Sequence, residues 1–144
     1  MNNSDRYNLN RFIQAQDKYF DDACKELKNG EKESHWMWFM FPQLEDLGYS
    51  STAKFYGISS INEAKAYFNN DILKKRIYCL IDILMDLECV NPIKIFGKID
   101  SLKLCSSMTL FYVVTKDKKF KDVIDKYYNG ILDKNTIDIL ENME

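Results

Sequence analysis

The chain has 144 residues, of which 46% are hydrophobic and 14% aromatic, with 20 Lys and Arg against 22 Asp and Glu. A chain of this length buries enough surface to form a core without disulfides or metals, so we expect one globular domain over residues 1–144. It contains no run of about 18 apolar residues and no apolar signal segment at the N-terminus, which excludes a membrane-spanning protein and predicts a soluble, cytoplasmic one.

The first predicted helix covers residues 9–27, where apolar side chains recur at three- and four-residue steps. Asn8 is its predicted N-cap. The Asn29-Gly30 pair is typical of a helix stop, because both residue types accept a left-handed backbone conformation.

Several helices are predicted to follow in the middle of the chain. Ser60 and Glu63 have the spacing of a capping box, and Asp71 directly precedes the most strongly periodic segment, so each position is expected to begin a helix. The predicted elements are a short helix from Ser34 to near Pro42, helices over 51–56 and 60–68, and a central amphipathic helix over 71–87.

The last third of the chain also has helical patterns. Asn91-Pro92 predicts a short helix that stops at Gly97, and Asp100 or Ser101 is expected to cap the next one. That helix ends in a β-branched run, Val113 to Thr115, which leaves a strand as the alternative there. Two closing helices complete an all-α, compact multihelical domain of about six to eight helices.

The charge distribution and the spacing of the cysteines limit the kinds of ligand and partner that the protein is expected to bind. The lysines near residue 118 are interleaved with aspartates, so no unopposed basic stripe is present and nucleic-acid binding is disfavoured. The four cysteines form no CxxC pair, which argues against a zinc site, and no metal or cofactor is predicted. With no secretion signal, we expect reduced thiols. Cys79 and Cys105 fall in apolar helical patterns and are expected in the core.

The segment 34–43, SHWMWFMFPQ, is the most unusual in the chain. It holds both tryptophans and the only histidine. Because no face of it is polar, one interpretation is a buried element whose polar groups are satisfied internally. The alternative is an aromatic pocket in which Trp36 and Trp38 stack a planar ligand and Gln43 and His35 set hydrogen bonds.

A second candidate lies on the predicted helix that follows Gly97. Lys103, Ser106 and Ser107 share one helical face, and a cation with two hydroxyls can bind an anionic group. Serine in a helix also often hydrogen-bonds only to the preceding turn, and this plainer interpretation is favoured. A Ser-Lys nucleophile is conceivable, but no strained Gly-x-Ser-x-Gly elbow accompanies it.

Several strings of residues resemble a known bacterial family, the one catalogued as domain of unknown function 1810. The resemblance extends over nearly the whole chain and implies a compact, mainly helical single domain, with no activity, substrate or cofactor that could be transferred. The strings are Arg11-Phe12-Ile13-x-Ala15-Gln16, Ser34-His35-Trp36-Met37-Trp38-Phe39-x-Phe41-Pro42-Gln43, Tyr56-x-Ile58-Ser59, Glu63-Ala64-x-Ala66-Tyr67, Ile95-Phe96-Gly97 and Lys103-x-x-Ser106-Ser107-Met108-Thr109-Leu110-Phe111.

These observations lead to two functional hypotheses. The first is a pocket built from residues 34–43 and 103–109 that binds a small anionic or nucleotide-like ligand. Whether it is also an enzyme is left open, and His35 is then the candidate general acid or base, because it alone titrates near neutral pH. The alternative is a protein-interaction or adaptor module without catalytic activity, which requires an exposed apolar patch.

Overall fold

The computed structural model describes residues 5–143, and it is all-α as the sequence predicts. Within these residues there are nine α-helices, six of them longer than two turns, one 3-10 turn and no strand. The helices are α1 (Asn10–Lys28), α2 (Met37–Met40), α3 (Ser51–Phe55), α4 (Ile61–Asn69), α5 (Asp71–Asp86), α6 (Pro92–Phe96), α7 (Lys98–Thr115), α8 (Lys118–Tyr128) and α9 (Lys134–Met143), with the 3-10 turn at Glu45–Leu47 between α2 and α3.

The helices begin near the predicted positions, but the caps of α1, α2, α5 and α7 differ from the prediction. Helix α7 begins at Lys98 with Gly97 as its N-cap, before the predicted Asp100 or Ser101. At the start of α1, the backbone amide of Leu9 donates a hydrogen bond to the Asp5 carboxylate at 2.5 Å, and not to Asn8. Asn8 has a left-handed backbone conformation with a φ of 53°. At α5 the Asn70 side chain accepts from two backbone amides, and Asp71 is the first helical residue. Asparagine and aspartate are equally good N-caps, so composition alone does not choose between neighbours.

Helix α7 is the centre of the molecule. Every residue from Leu104 to Phe111 is buried, so this stretch has no face in solvent, and the helix packs against α4, α6, α8 and α9. Its β-branched end remains helical to Thr115, and Lys116 closes it in a left-handed conformation with φ 62°. The strand alternative is therefore wrong. The core forms one contiguous cluster of apolar side chains around this helix.

A short backbone pairing joins two loops beside α3. The amide of Ile58 donates to the Gln43 carbonyl, and the amide of Glu45 donates to the Ile58 carbonyl, both at 2.9 Å. A Cβ at Gly57 would lie 2.5 Å from the Glu45 Cα, so only glycine allows this approach. The pairing fixes Gln43 beside the end of α3.

Among the described helices, none combines the length and apolarity needed to cross a bilayer.

Candidate functional site

The two tryptophans of the 34–43 segment have different environments. Trp36 is fully buried, its ring packs against Phe41 and Phe96, and its Nε1–H donates to Glu26 at 3.0 Å. Trp38, two residues later, is half-buried and reaches the surface. Trp36 is therefore a core residue, as in the first of the two interpretations, and a ligand cannot reach its ring in this conformation.

Glu26 holds the start of this segment in place. Its carboxylate is 7% exposed and accepts hydrogen bonds from the Glu33 and Ser34 amides, the Ser34 hydroxyl and the Trp36 indole. Burial alone raises the pKa of a carboxyl, but the hydrogen bonds from Ser34, Glu33 and Trp36 outweigh it and lower the pKa of Glu26 to about 2. Ser34 thus binds Glu26 instead of capping α2, whose N-cap is Trp36.

His35 lies on the exposed side of this loop, between two residues that bind Glu26. Within residues 5–143 no side chain hydrogen-bonds to its ring, and it does not line the cavity described next. The structure therefore places the candidate acid–base residue apart from the other candidate site residues.

Trp38, Gln43 and Lys103 converge on one small cavity. The Lys103 Nζ lies 5.1 Å from the centre of the Trp38 ring, in the geometry of a cation–π contact. Gln43 and Tyr56 line the other sides, together with Gly57, Met37, Phe41 and Ala53. The cavity volume is about 10 Å³, which is room for roughly one water molecule.

Lys103, the charged residue that lines the cavity, belongs to a chain of three charged side chains. Asp100 forms ion pairs with Lys32 at 3.0 Å and with Lys103 at 3.6 Å, so one carboxylate is shared by two cations. The Lys32 side chain is 7% exposed, and its Nζ also donates to the Ser34 carbonyl and lies 5.0 Å from the centre of the Trp36 ring. The cluster has one positive charge in excess.

Ser106 and Ser107 lie elsewhere. The Ser106 hydroxyl is 3.1 Å from both the Leu102 carbonyl and Asp133, whose carboxylate also caps α9 through Thr136. The Ser107 hydroxyl is fully buried and has no hydrogen-bond partner among the described residues. Neither residue lines the cavity, so of the predicted site Trp38, Gln43 and Lys103 come together, while His35, Trp36, Ser106 and Ser107 do not join them.

Tyr56 also lines the cavity, and it is absent from the site residues predicted from the sequence. Its ring lies 5.3 Å from Phe39 and 4.8 Å from Phe55, and it lines both the small cavity and an open groove of about 540 Å³ next to α1. The feature of the sequence that could have identified it is its place in the Tyr56-x-Ile58-Ser59 string. Its aromatic side chain alone does not distinguish a site residue from a core residue.

Other polar residues in the recurring strings are satisfied within the fold. Arg11 donates to the Phe55 and Gly57 carbonyls and to Glu63 at 2.7 Å, which ties α1 to α4. Gln16 is 1% exposed and donates to the Phe39 carbonyl and the Tyr67 hydroxyl. No group of three or more His, Cys, Asp or Glu side chains that could hold a metal occurs in the part of the chain that the structure describes.

The all-α architecture and the side chains just described define a small helical domain with a buried carboxylate network beside an aromatic cavity. The chain belongs to the family described as protein of unknown function DUF1810, whose profile matches residues 6–140. Its structure is similar to the crystal structure of the conserved hypothetical protein Rv1873 from Mycobacterium tuberculosis, with 42% sequence identity and a TM-score of 0.93 over 95% of this chain and 99% of that one. A comparison with curated proteins found no match.

Proposed function

We propose that the protein binds a small anionic ligand, with a planar group of the kind found in nucleotides, at the surface formed by Trp38, Gln43, Tyr56 and Lys103. The observation that supports this is the convergence of an indole ring, a carboxamide and an ammonium group on one cavity. Ligand sites commonly combine aromatic walls with a few placed polar groups.

The charge of the site favours an anion. Lys103 is only 23% exposed, and its contact with Asp100 is long at 3.6 Å, whereas Lys32 holds the same carboxylate at 3.0 Å. Lys103 can therefore turn toward a ligand anion while Asp100 keeps a partner. A charge-assisted hydrogen bond in a partly buried position is stronger than one in open water.

The size of the cavity sets how such a ligand would lie. Room for one water accommodates a single polar atom, hydrogen-bonded to Gln43. The ring of the ligand would then lie outside, on the face of Trp38 that Lys103 now covers. We assign no reaction to this site, because His35 is exposed and does not line it.

Tryptophan fluorescence tests this proposal directly, since both indoles belong to one segment but only Trp38 borders the cavity. Titration of a Trp36→Phe variant with a panel of nucleotides and sugar phosphates should give a saturable change in emission for at least one compound. Lys103→Met should weaken that compound's binding at least tenfold. Lys118→Met, which removes a lysine that is 84% exposed on α8, is the matched control and should bind normally.

His35→Ala should leave the affinity unchanged, because His35 does not line the cavity. If no compound alters the emission of Trp38, or if Lys118→Met weakens binding as much as Lys103→Met, the proposed site is wrong.

A protein partner is the second candidate function, and exposed aliphatic side chains favour it. Ile99 and Leu102 lie one turn apart on α7 and are 70% and 65% exposed, and Ile93 on α6 is 54% exposed. Isolated exposed aliphatic residues are ordinary, but neighbouring ones form a surface that water solvates poorly.

Proximity labelling in cells would test this candidate. A protein labelled by the wild type and by Lys118→Met, but lost with Leu102→Asp, would support a partner at this surface. Identical labelling by all three proteins would contradict it.

A further inference from the structure

Two cysteines lie side by side on neighbouring helices, away from the proposed ligand surface. Cys24 is half-buried on α1, and Cys79 is exposed on α5, so the expectation that Cys79 is a core residue is wrong. Burial raises the pKa of the Cys24 thiol to about 11, and the adjacent Cys79 side chain contributes to the rise through its charge and a hydrogen bond.

The register of the two helices explains why these thiols meet. Arg76 on α5 pairs with Asp17 on α1 at 2.5 Å, and its guanidinium lies 5.6 Å from the centre of the Phe20 ring. One turn further along each helix come Cys79 and Cys24. Because α1 packs on α5 and both cysteines follow the Arg76 contacts by one turn, Cys79 lies within hydrogen-bonding reach of Cys24.

We propose that Cys24 and Cys79 form a reversible intramolecular disulfide when the protein meets a low-molecular-weight disulfide, which makes this pair a thiol-modification site joining α1 to α5. The exposed thiol of Cys79 reacts first, and the half-buried thiol of Cys24 resolves the intermediate.

The exchange is balanced in two steps. The Cys79 thiolate attacks one sulfur of the small disulfide, forms a mixed disulfide and expels the first small thiolate. The Cys24 thiolate then attacks the Cys79 sulfur and expels the second. The two cysteines lose two electrons, the small disulfide gains them, and the two cysteine protons end on the two departing thiols.

The remaining cysteines have no such arrangement. Cys105 is buried, its thiol contacts the Ile131 carbonyl, and burial raises its pKa to about 11. Cys89 is half-buried and its thiol contacts the Asn91 carbonyl at 3.6 Å. These two residues therefore supply the internal controls.

The experiment is incubation of the full chain with oxidised glutathione, followed by intact mass measurement and thiol counting after unfolding. The wild type and Cys89→Ser should each lose two thiols, form no disulfide-linked dimer and carry no glutathione, and dithiothreitol should restore both thiols. Cys24→Ser should instead keep one glutathione on Cys79, because no thiol remains to displace it. The oxidised wild type should also unfold at a higher temperature than the reduced protein.

Three results would overturn the proposal. They are a stable glutathione adduct on the wild type, a disulfide-linked dimer as the main product, and the loss of two thiols by the Cys79→Ser variant.

Discussion

At the scale of single residues, Trp36 and Trp38 show how neighbouring positions of one aromatic segment take different roles. The sequence predicts that the segment is unusual and apolar, but it does not indicate which indole is buried. That choice depends on Glu26, ten residues before Trp36, whose carboxylate accepts a hydrogen bond from the Trp36 indole N–H. A buried acceptor on another helix leaves no periodic pattern in the chain.

Glu26 should make the stability of the protein depend on pH in the acid range. Because the pKa of its carboxyl is lowered to about 2 in the folded protein, its contribution is complete above pH 4.5 and is lost as the pH falls toward 2. The contribution corresponds to about 3 kcal/mol. Chemical unfolding at several pH values should show a shallower acid dependence for Glu26→Gln.

The control for this prediction is Glu33→Gln, which changes an exposed carboxylate in the same loop. It should reproduce the pH dependence of the wild type. Equal slopes for Glu26→Gln and the wild type would show that the buried carboxylate is not the group that titrates.

At the scale of helices, the sequence predicted the elements well and the contacts at their ends less well. The apolar spacing fixes the helices, and Gly97, with φ 84°, marks the boundary between α6 and α7 as expected. The sequence places the caps of α1 and α5 at Asn8 and Asp71, whereas in the structure the Leu9 amide donates to Asp5 and Asn70 caps α5. A cap depends on the path of the loop before the helix, which local pattern does not determine.

The C-terminal end of α5 depends on a lysine from another helix. Lys126 on α8 donates to the carbonyls of Leu84, Met85 and Leu87, the groups that a helix end leaves without partners. Lys126→Met should keep the apolar stem and lose these bonds, which lowers the free energy of unfolding by about 1–3 kcal/mol. Urea unfolding measures this change.

Lys121→Met is the matched control on α8, because Lys121 forms only a surface pair with Asp125 on its own helix. This variant should lower the free energy of unfolding by less than about 0.5 kcal/mol. A similar loss in both variants would mean that the carbonyl contacts of Lys126 contribute little.

At the scale of the whole molecule, the sequence predicts the fold class, and three of the seven predicted site residues, Trp38, Gln43 and Lys103, line one cavity. The fold class follows from helical spacing and from few glycines and prolines. The site was expected to include Ser106, but that residue faces Asp133 and α9, because residues 103 and 106 lie on flanks of α7 that pack against different partners. Helical spacing places residues on one face only approximately, and tertiary packing decides which neighbour each one meets.

The contiguous core predicts that the protein unfolds in one step. Apolar side chains from α1, α2, α4, α5 and α7 belong to the same cluster. Unfolding of any one of these helices would therefore expose apolar side chains of the others to water. Calorimetry should give a single transition whose van't Hoff and calorimetric enthalpies agree. Two separate transitions would contradict the expectation of one domain.

The shared carboxylate of Asp100 links the proposed ligand surface to the loop that holds Trp36. An anion that takes Lys103 away from Asp100 leaves that carboxylate to Lys32 alone, and Lys32 also binds the Ser34 carbonyl. Ligand binding beside Trp38 and the rigidity of the loop at Ser34 are then thermodynamically linked, so each one favours the other. Ligand binding should therefore slow hydrogen exchange of the Ser34 amide, although that amide touches no part of the ligand.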